Sequence, residues 1–242
     1  LCCGPRNADI GDMRIVVDGN HEAEGKDFFK IIDSDASPTG THLAWAYDDK
    51  GSEYFTIKLR HLGTGKDETD TLIDTGGSFA WSACGGYLFY IAVDENHRPH
   101  RVMRHEIGSP QAQDIIVYEE ADAGFFVGLS ASRSGRFLFI NAHDHETAEA
   151  HLIDAHAPLS QPVCIAPRET GIEYDADDDA VRNQLIITTN WNGDGKADDF
   201  QICAAPVPMA TGDKKHWQVI RPHQAGCLVL DALPFENHLV AL

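Results

Sequence analysis

Basic residues are scarce in this chain. Nineteen Lys and Arg stand against 38 Asp and Glu in 242 residues, a formal net charge of −19. That balance argues against a nucleic-acid partner, whose phosphates need a basic face. It suits cationic peptides, which an acidic surface attracts over long range. Long apolar runs are missing too. The longest is about seven residues, where a membrane-spanning helix needs ~20, so no membrane partner is expected. Leu1-Cys2-Cys3-Gly4-Pro5-Arg6 does not begin with Met and has no apolar stretch of the signal-peptide kind. Cys2, Cys3, Cys84, Cys164, Cys203 and Cys227 form no C-x-x-C pair, and a chain of this length needs no disulfide framework. Reduced thiols in a cytoplasmic protein are the expectation. No Pro- or Gly-rich linker divides the chain, so it reads as one domain or part of one.

What the chain does have is a repeated strand. Tyr87 to Val93 is an apolar run of aromatic and β-branched residues, too short for a globular helix and suited to a buried strand. Similar runs surround Leu43, Leu138, Leu185 and Leu239, so the spacings are 45, 50, 47 and 54 residues. Each of the first four follows a turn: Ser37 to Gly40, Ser82 to Gly86, Ser132 to Gly135 and Asp177 to Asp179. Each also precedes a polar loop that begins at Asp48, Asp94, His143 or Asn190. A four-stranded unit recurring every 40 to 50 residues predicts an all-β fold, a β-propeller with four-stranded blades, because one such sheet cannot cover its own apolar faces and radial stacking can. A β-sandwich with coincidental spacing is the competing fold. The blades are expected at about Ile31–Lys66, Leu72–Val117, Gly124–Ile165 and Ile172–Pro208, with a fifth from about Trp217 to Leu242. Residues 1–30 form a lead-in, with a short strand at Met13 to Val17 and a loop or helical turn at Glu22 to Lys30. Residues 31–242 form a partial propeller domain.

Several stretches carry a resemblance. They are Asp18-Gly19-Asn20 with Glu24-Gly25-Lys26, Asp48 to Tyr54, Trp81-Ser82, Asp94 to Pro99, Arg104 to Gly108, Val117 to Glu120, Phe125 to Ser130, His145 to Glu149 and Ala166 to Tyr174. Long, ordered and spread from about residue 15 onward, they resemble the N-terminal propeller of oligopeptidase B, a branch of the prolyl oligopeptidase family of serine peptidases. The resemblance implies a seven-bladed propeller, of which about five blades stand here, with an unclosed strand edge. It implies a C-terminal α/β-hydrolase domain, in the same or a separate chain, that is absent from residues 1–242. It also implies short basic peptides, cut after Lys or Arg, as substrates of the whole enzyme. The propeller's implied role is to gate substrate entry. The competing reading is a non-catalytic binding module.

No catalytic residue is expected within the chain. A serine hydrolase of this clan needs a G-x-S-x-G elbow on a strand-to-helix turn. Gly128-Leu129-Ser130-Ala131-Ser132 starts correctly, but Ser132 stands where the second Gly is required, so Ser130 reads as a strand residue. No cofactor is expected. Asn190, Asn192, Asp194 and Asp198 have the spacing of a calcium loop, with Gly195 at the sharp turn, yet position 12 is Gln201 rather than Glu. An Asn-Gly and Asp-Gly hairpin explains the same residues. His143, His145 and His151 are the residue types of a zinc site, and an ordinary blade hairpin again competes. Trp45, Tyr47, Trp81, Phe89, Phe137 and Phe139 are assigned to the core between blades.

Overall fold

The computed structural model describes residues 1–3, 9–193, 195–207 and 212–242. It resolves two compact units, Leu1–Pro99 with Met103–Ile115, and His100–Val102 with Ile116–Leu242. No helix is long and apolar enough to cross a membrane.

The first strands are β1 (Cys2–Cys3) and β2 (Arg14–Ile15), an isolated antiparallel pair. The expected strand at Met13 to Val17 is thus only two residues long. The helical turn, α1 (Gly19–Glu22), starts three residues earlier than the expected Glu22, because the Asp18 carboxylate accepts the Asn20 amide at 3.0 Å and caps it there. Next come β3 (Lys30–Ala36), β4 (His42–Asp48), β5 (Phe55–His61), β6 (Asp67–Trp81), β7 (Tyr87–Val93), β8 (Pro99–Glu106) and β9 (Ile115–Glu119), in one sheet in chain order. Then β10 (Phe126–Ala131), β11 (Phe137–His143), β12 (Ala148–Asp154) and β13 (Val163–Ala166) form one four-stranded sheet. A second contains β14 (Tyr174–Asp179), β15 (Gln184–Asn192), β16 (Gly195–Pro206) and β17 (Gln218–Arg221). The last two, β18 (Ala232–Pro234) and β19 (Leu239–Ala241), form a hairpin.

The strand β6 serves two blades. Its first half pairs with β5, so Leu72 lies opposite Ile57 in the first blade. Its last residues, Phe79 to Trp81, pair with β7. The second blade therefore does not begin at Leu72 as expected. The joint is Gly76-Gly77, where the register with β7 shifts and Gly77 takes φ of 86°. The Thr75 hydroxyl donates to the Phe55 carbonyl and accepts the Gly77 amide. A Cβ on Gly77 would run into Ile32 and the Phe55 ring. Gly77→Ala is expected to cost about 2 kcal/mol through left-handed strain and this collision, read as a fall in denaturation midpoint.

The fourth blade also corrects the reading. Asp177 to Asp179 is not a turn but the end of β14. Asp178 is buried because Arg136 pairs with it at 2.7 Å, and Asp179 because Arg182 pairs with it at 3.0 Å. The turn falls at the following residues, with Asn183 at φ of 50°. The blade also continues past Pro208, since Trp217 joins its core and Gln218–Arg221 is its outer strand. A fifth unit starting at Trp217 is thereby reduced to the hairpin β18–β19.

The turns repeat chemically. In each of three Ser-x-x-Gly turns, the first Ser oxygen accepts the amide five residues on: His42 to Ser37 at 3.1 Å, Tyr87 to Ser82 at 3.0 Å, Phe137 to Ser132 at 3.1 Å. Gly40, Gly85 and Gly135 close these turns at positive φ. At the far end of the second strands, Asp48, Asp94 and Asp144 each accept loop amides: Lys50 and Gly51, Asn96 and Arg98, Glu146 and Thr147. All three carboxyls sit below the usual range. Backbone amides are the leading cause at Asp94 and Asp144, while at Asp48 they outweigh its burial.

Apolar residues fill the spaces between blades. Ala44, Ile57, Leu59, Leu72, Phe79, Trp81 and Leu88 share one cluster. Phe137, Phe139, Ile165, Tyr174, Leu185, Ile187 and Trp217 share another. The six aromatic residues assigned to the core are all buried. In the first cluster side chains of the first and second blades meet, and in the second those of the third and fourth, as in the stacked blades of a propeller.

Candidate functional site

Ser130 lies near the end of β10, opposite Phe139 of β11. The chain then turns at Ser132, whose buried hydroxyl holds the Phe137 amide, and enters another strand. A nucleophile elbow needs a strand-to-helix turn, and Ser130 is not on one.

Asn190 occupies the place in its blade that Asp48, Asp94 and Asp144 hold in theirs, at spacings of 46, 50 and 46 residues. Its side chain is committed: Oδ1 accepts the Glu173 amide at 2.8 Å, and Nδ2 donates to the Gly171 carbonyl at 3.1 Å. Asn192 pairs with Gly195 across the hairpin, and Asp198 is exposed on β16. Asp194 lies outside the described residues. The Asn190 side chain is thus committed to the segment before β14 rather than to the hairpin that follows it.

The three histidines are not brought together. His143 pairs with Ala148, while His151 lies opposite Ile140, three residues earlier on β11. His145 is exposed in the loop.

The strand β14 instead builds a site that the sequence reading missed. Asp175 and Asp177 alternate with the buried Tyr174 and Ala176, so their carboxylates leave the core on one side. There they line a cavity of about 200 Å³ with Ser130, Arg133, Asn141 and Asp231. Asn141 and Asp175 also line an adjoining cavity of about 380 Å³, whose wall includes Asp144, Glu173, Phe200 and Leu230. The Asp175 carboxyl is pushed up, first by lost hydration and then by the charges of Asp231 and Asp177. Asp177 is pushed up by lost hydration, more than its amide bonds and Arg133 offset. Carboxylates that resist ionisation together are relieved by an incoming cation. Asp175, Asp177 and Asp231 thus set three carboxylates in the cleft beside the Arg133 side chain. The available signal was the acidic run Asp175 to Asp179, which looked like a turn because acidic residues are rare inside strands.

The family model of the prolyl oligopeptidase N-terminal beta-propeller domain matches residues 1–242. Protease 2 of Moraxella lacunata is 33% identical over 195 residues, 80% of this chain and 27% of that protein. Dipeptidyl aminopeptidase BI of Pseudoxanthomonas mexicana is 33% identical over 211 residues, 87% of this chain and 28% of that protein. Oligopeptidase B from Leishmania major superposes with a TM-score of 0.88 at 27% identity, covering 98% of this chain and 32% of that one. Oligopeptidase B from Trypanosoma brucei, in a closed form with covalently bound antipain, gives 0.83 at 27% identity over 98% of this chain and 32% of that one. The chain spans roughly a third or less of the length of each of these relatives. By fold, family model and relatives alike, the chain belongs to the prolyl oligopeptidase family and matches its N-terminal β-propeller domain.

Proposed function

We propose that this propeller is the substrate-admitting portion of an oligopeptidase B-like serine peptidase that cuts short peptides after Lys or Arg. The family match over residues 1–242 is the observation that carries this reading. The acidic cleft of Asp175, Asp177 and Asp231 supports the basic character of the substrate, as does the net charge of −19. A C-terminal hydrolase domain supplies the nucleophile, since the chain holds no G-x-S-x-G elbow. The propeller's part is to limit entry by size and charge.

The test uses the protein at its native length. It is expected to hydrolyse a short Lys- or Arg-ester and to lose that activity to a serine-directed inhibitor. Residues 1–242 alone should be inactive, and inhibitor-sensitive turnover by them would sink the assignment. Replacing Asp175, Asp177 and Asp231 together by Asn should raise KM for basic peptides and leave kcat unchanged, the pattern of lost uniform binding. Added salt should weaken the parent's preference in the same direction. The resemblance to a dipeptidyl aminopeptidase supports a second reading, release of dipeptides from the amino end. Product masses from one internal-Arg peptide separate the two.

A further inference from the structure

We propose that Glu149, His151 and Cys164 form a binding site for a divalent cation of the zinc class on the third blade, with a fourth position open to water. One donor atom from each of the three lies within 4.8 Å of the others. The strands bring them together. Glu149 and His151 are two apart on β12 and so share a side, and His151 lies opposite Cys164 on β13. Between Ala150–Ala166 and His151–Cys164 the register slips, leaving Ile165 as the extra residue of a bulge. Ile165 is fully buried, so the bulge sends it into the core and leaves Cys164 beside His151, the re-aiming that such irregularities provide.

The imidazole has no other employment. His151 Nδ1 is buried without a hydrogen-bond partner, and Nε2 is 3.8 Å from Glu149 Oε1, too far for a hydrogen bond. The Tyr118 ring covers it, with centroids 4.9 Å apart. A buried polar atom with no partner is uncommon, and Nε2, the nitrogen that faces Glu149, has no hydrogen bond to give up to a ligand.

The surrounding charges fit a divalent ion. Arg168 approaches Glu149 Oε1 at 3.5 Å, but its guanidinium is hydrogen-bonded to Glu120, and its backbone amide takes the other Glu149 oxygen at 2.9 Å. Arg168 is thus balanced by Glu120. An ion carrying two positive charges would be balanced by the Glu149 carboxylate and a Cys164 thiolate. Binding converts the thiol and the free cation into a metal–sulfur bond plus one released proton. One sulfur, one nitrogen and one oxygen donor suit zinc or cobalt(II), whereas calcium and magnesium take oxygen alone. The ion would tie β12 to β13 at a point where the ladder is interrupted.

Cobalt(II) titration of the native-length protein and its Cys164→Ser variant tests the site. The parent is expected to develop a near-ultraviolet thiolate-to-cobalt band and tetrahedral visible bands, both abolished by equimolar zinc. Cys164→Ser should lose the near-ultraviolet band, and His151→Ala should weaken cobalt binding by at least about tenfold, no less than outer partners of a ligand are worth. Circular dichroism checks that both variants keep the β-sheet signal. A parent without the band overturns the proposal whatever the variants do. So does a band unchanged by Cys164→Ser, which would place the metal at exposed thiols such as Cys2, Cys3 or Cys84.

Discussion

Replacing His105 by Ala is expected to destabilise the first unit by roughly 3–5 kcal/mol, the usual cost of removing one partner from a buried ion pair. His105 sits on β8 with its side chain wholly buried between two carboxylates. Nδ1 meets Asp114 at 2.7 Å and Nε2 meets Asp70 at 3.3 Å, and those side chains are 1% and 2% exposed. The other contacts of the group are also filled. Tyr90 donates to Asp114, and the Gly108 amide donates to Asp70. Without the imidazole both carboxylates remain buried with too few donors. Urea unfolding of the parent and variant measures the effect. A loss below about 1 kcal/mol would mean that the pair is hydrated or protonated in the folded state.

The same site sets a pH dependence. Burial opposes charge on His105, but the hydrogen bond and charge of Asp114, then those of Asp70, outweigh it, and the pKa is raised above 6.5. A raised folded-state pKa means that the folded protein holds the proton more tightly. The stabilisation is complete below the unfolded value near 6.5 and is lost as pH rises through the folded value. The midpoint difference between parent and His105→Ala should therefore shrink on the alkaline side.

The second large effect is expected from one oxygen atom. The Tyr174 hydroxyl, on the first strand of the fourth blade, accepts the Ala150 amide at 2.7 Å and the Ala166 amide at 3.2 Å, and donates to the Ala166 carbonyl at 2.6 Å. These groups lie where the β12–β13 register slips, so the phenol completes a ladder that the third blade leaves incomplete. Burial, ahead of any charge, holds the phenol well above its usual pKa, so it remains a donor. Tyr174→Phe keeps the ring against Trp217, with which it packs edge-on at 5.2 Å, and strands three buried backbone groups. A loss of about 3 kcal/mol follows, since each unsatisfied group costs 1–3 kcal/mol and the three are not additive. Hydrogen exchange at the Ala150 and Ala166 amides should accelerate in step. An unchanged midpoint would show that water replaces the phenol.

These two sites also mark what could be read in advance. The second strands of the blades were legible because Tyr87 to Val93 and its counterparts are short apolar runs at a steady interval. Their turns were legible because Ser and Gly at fixed offsets have local chemistry that needs no distant partner. Leu72 was misplaced because an alternating strand looks the same whichever neighbour it pairs with, and only the Gly76-Gly77 kink decides where one blade passes to the next. Asp177 to Asp179 was misplaced because a carboxylate inside a strand depends on a cation supplied from elsewhere. Arg136, 42 residues before Asp178, supplies it here.

By itself, then, the sequence determined the repeat, the four-stranded unit and the family, because each rests on local spacing and on residues adjacent in the chain. Tertiary structure alone decided which carboxylates meet in the cleft, which histidine is clamped and which is free, and where β13 slips past β12. Those outcomes depend on register and on contacts between residues tens of positions apart. A shift of one residue in pairing would send each of those side chains to the opposite face.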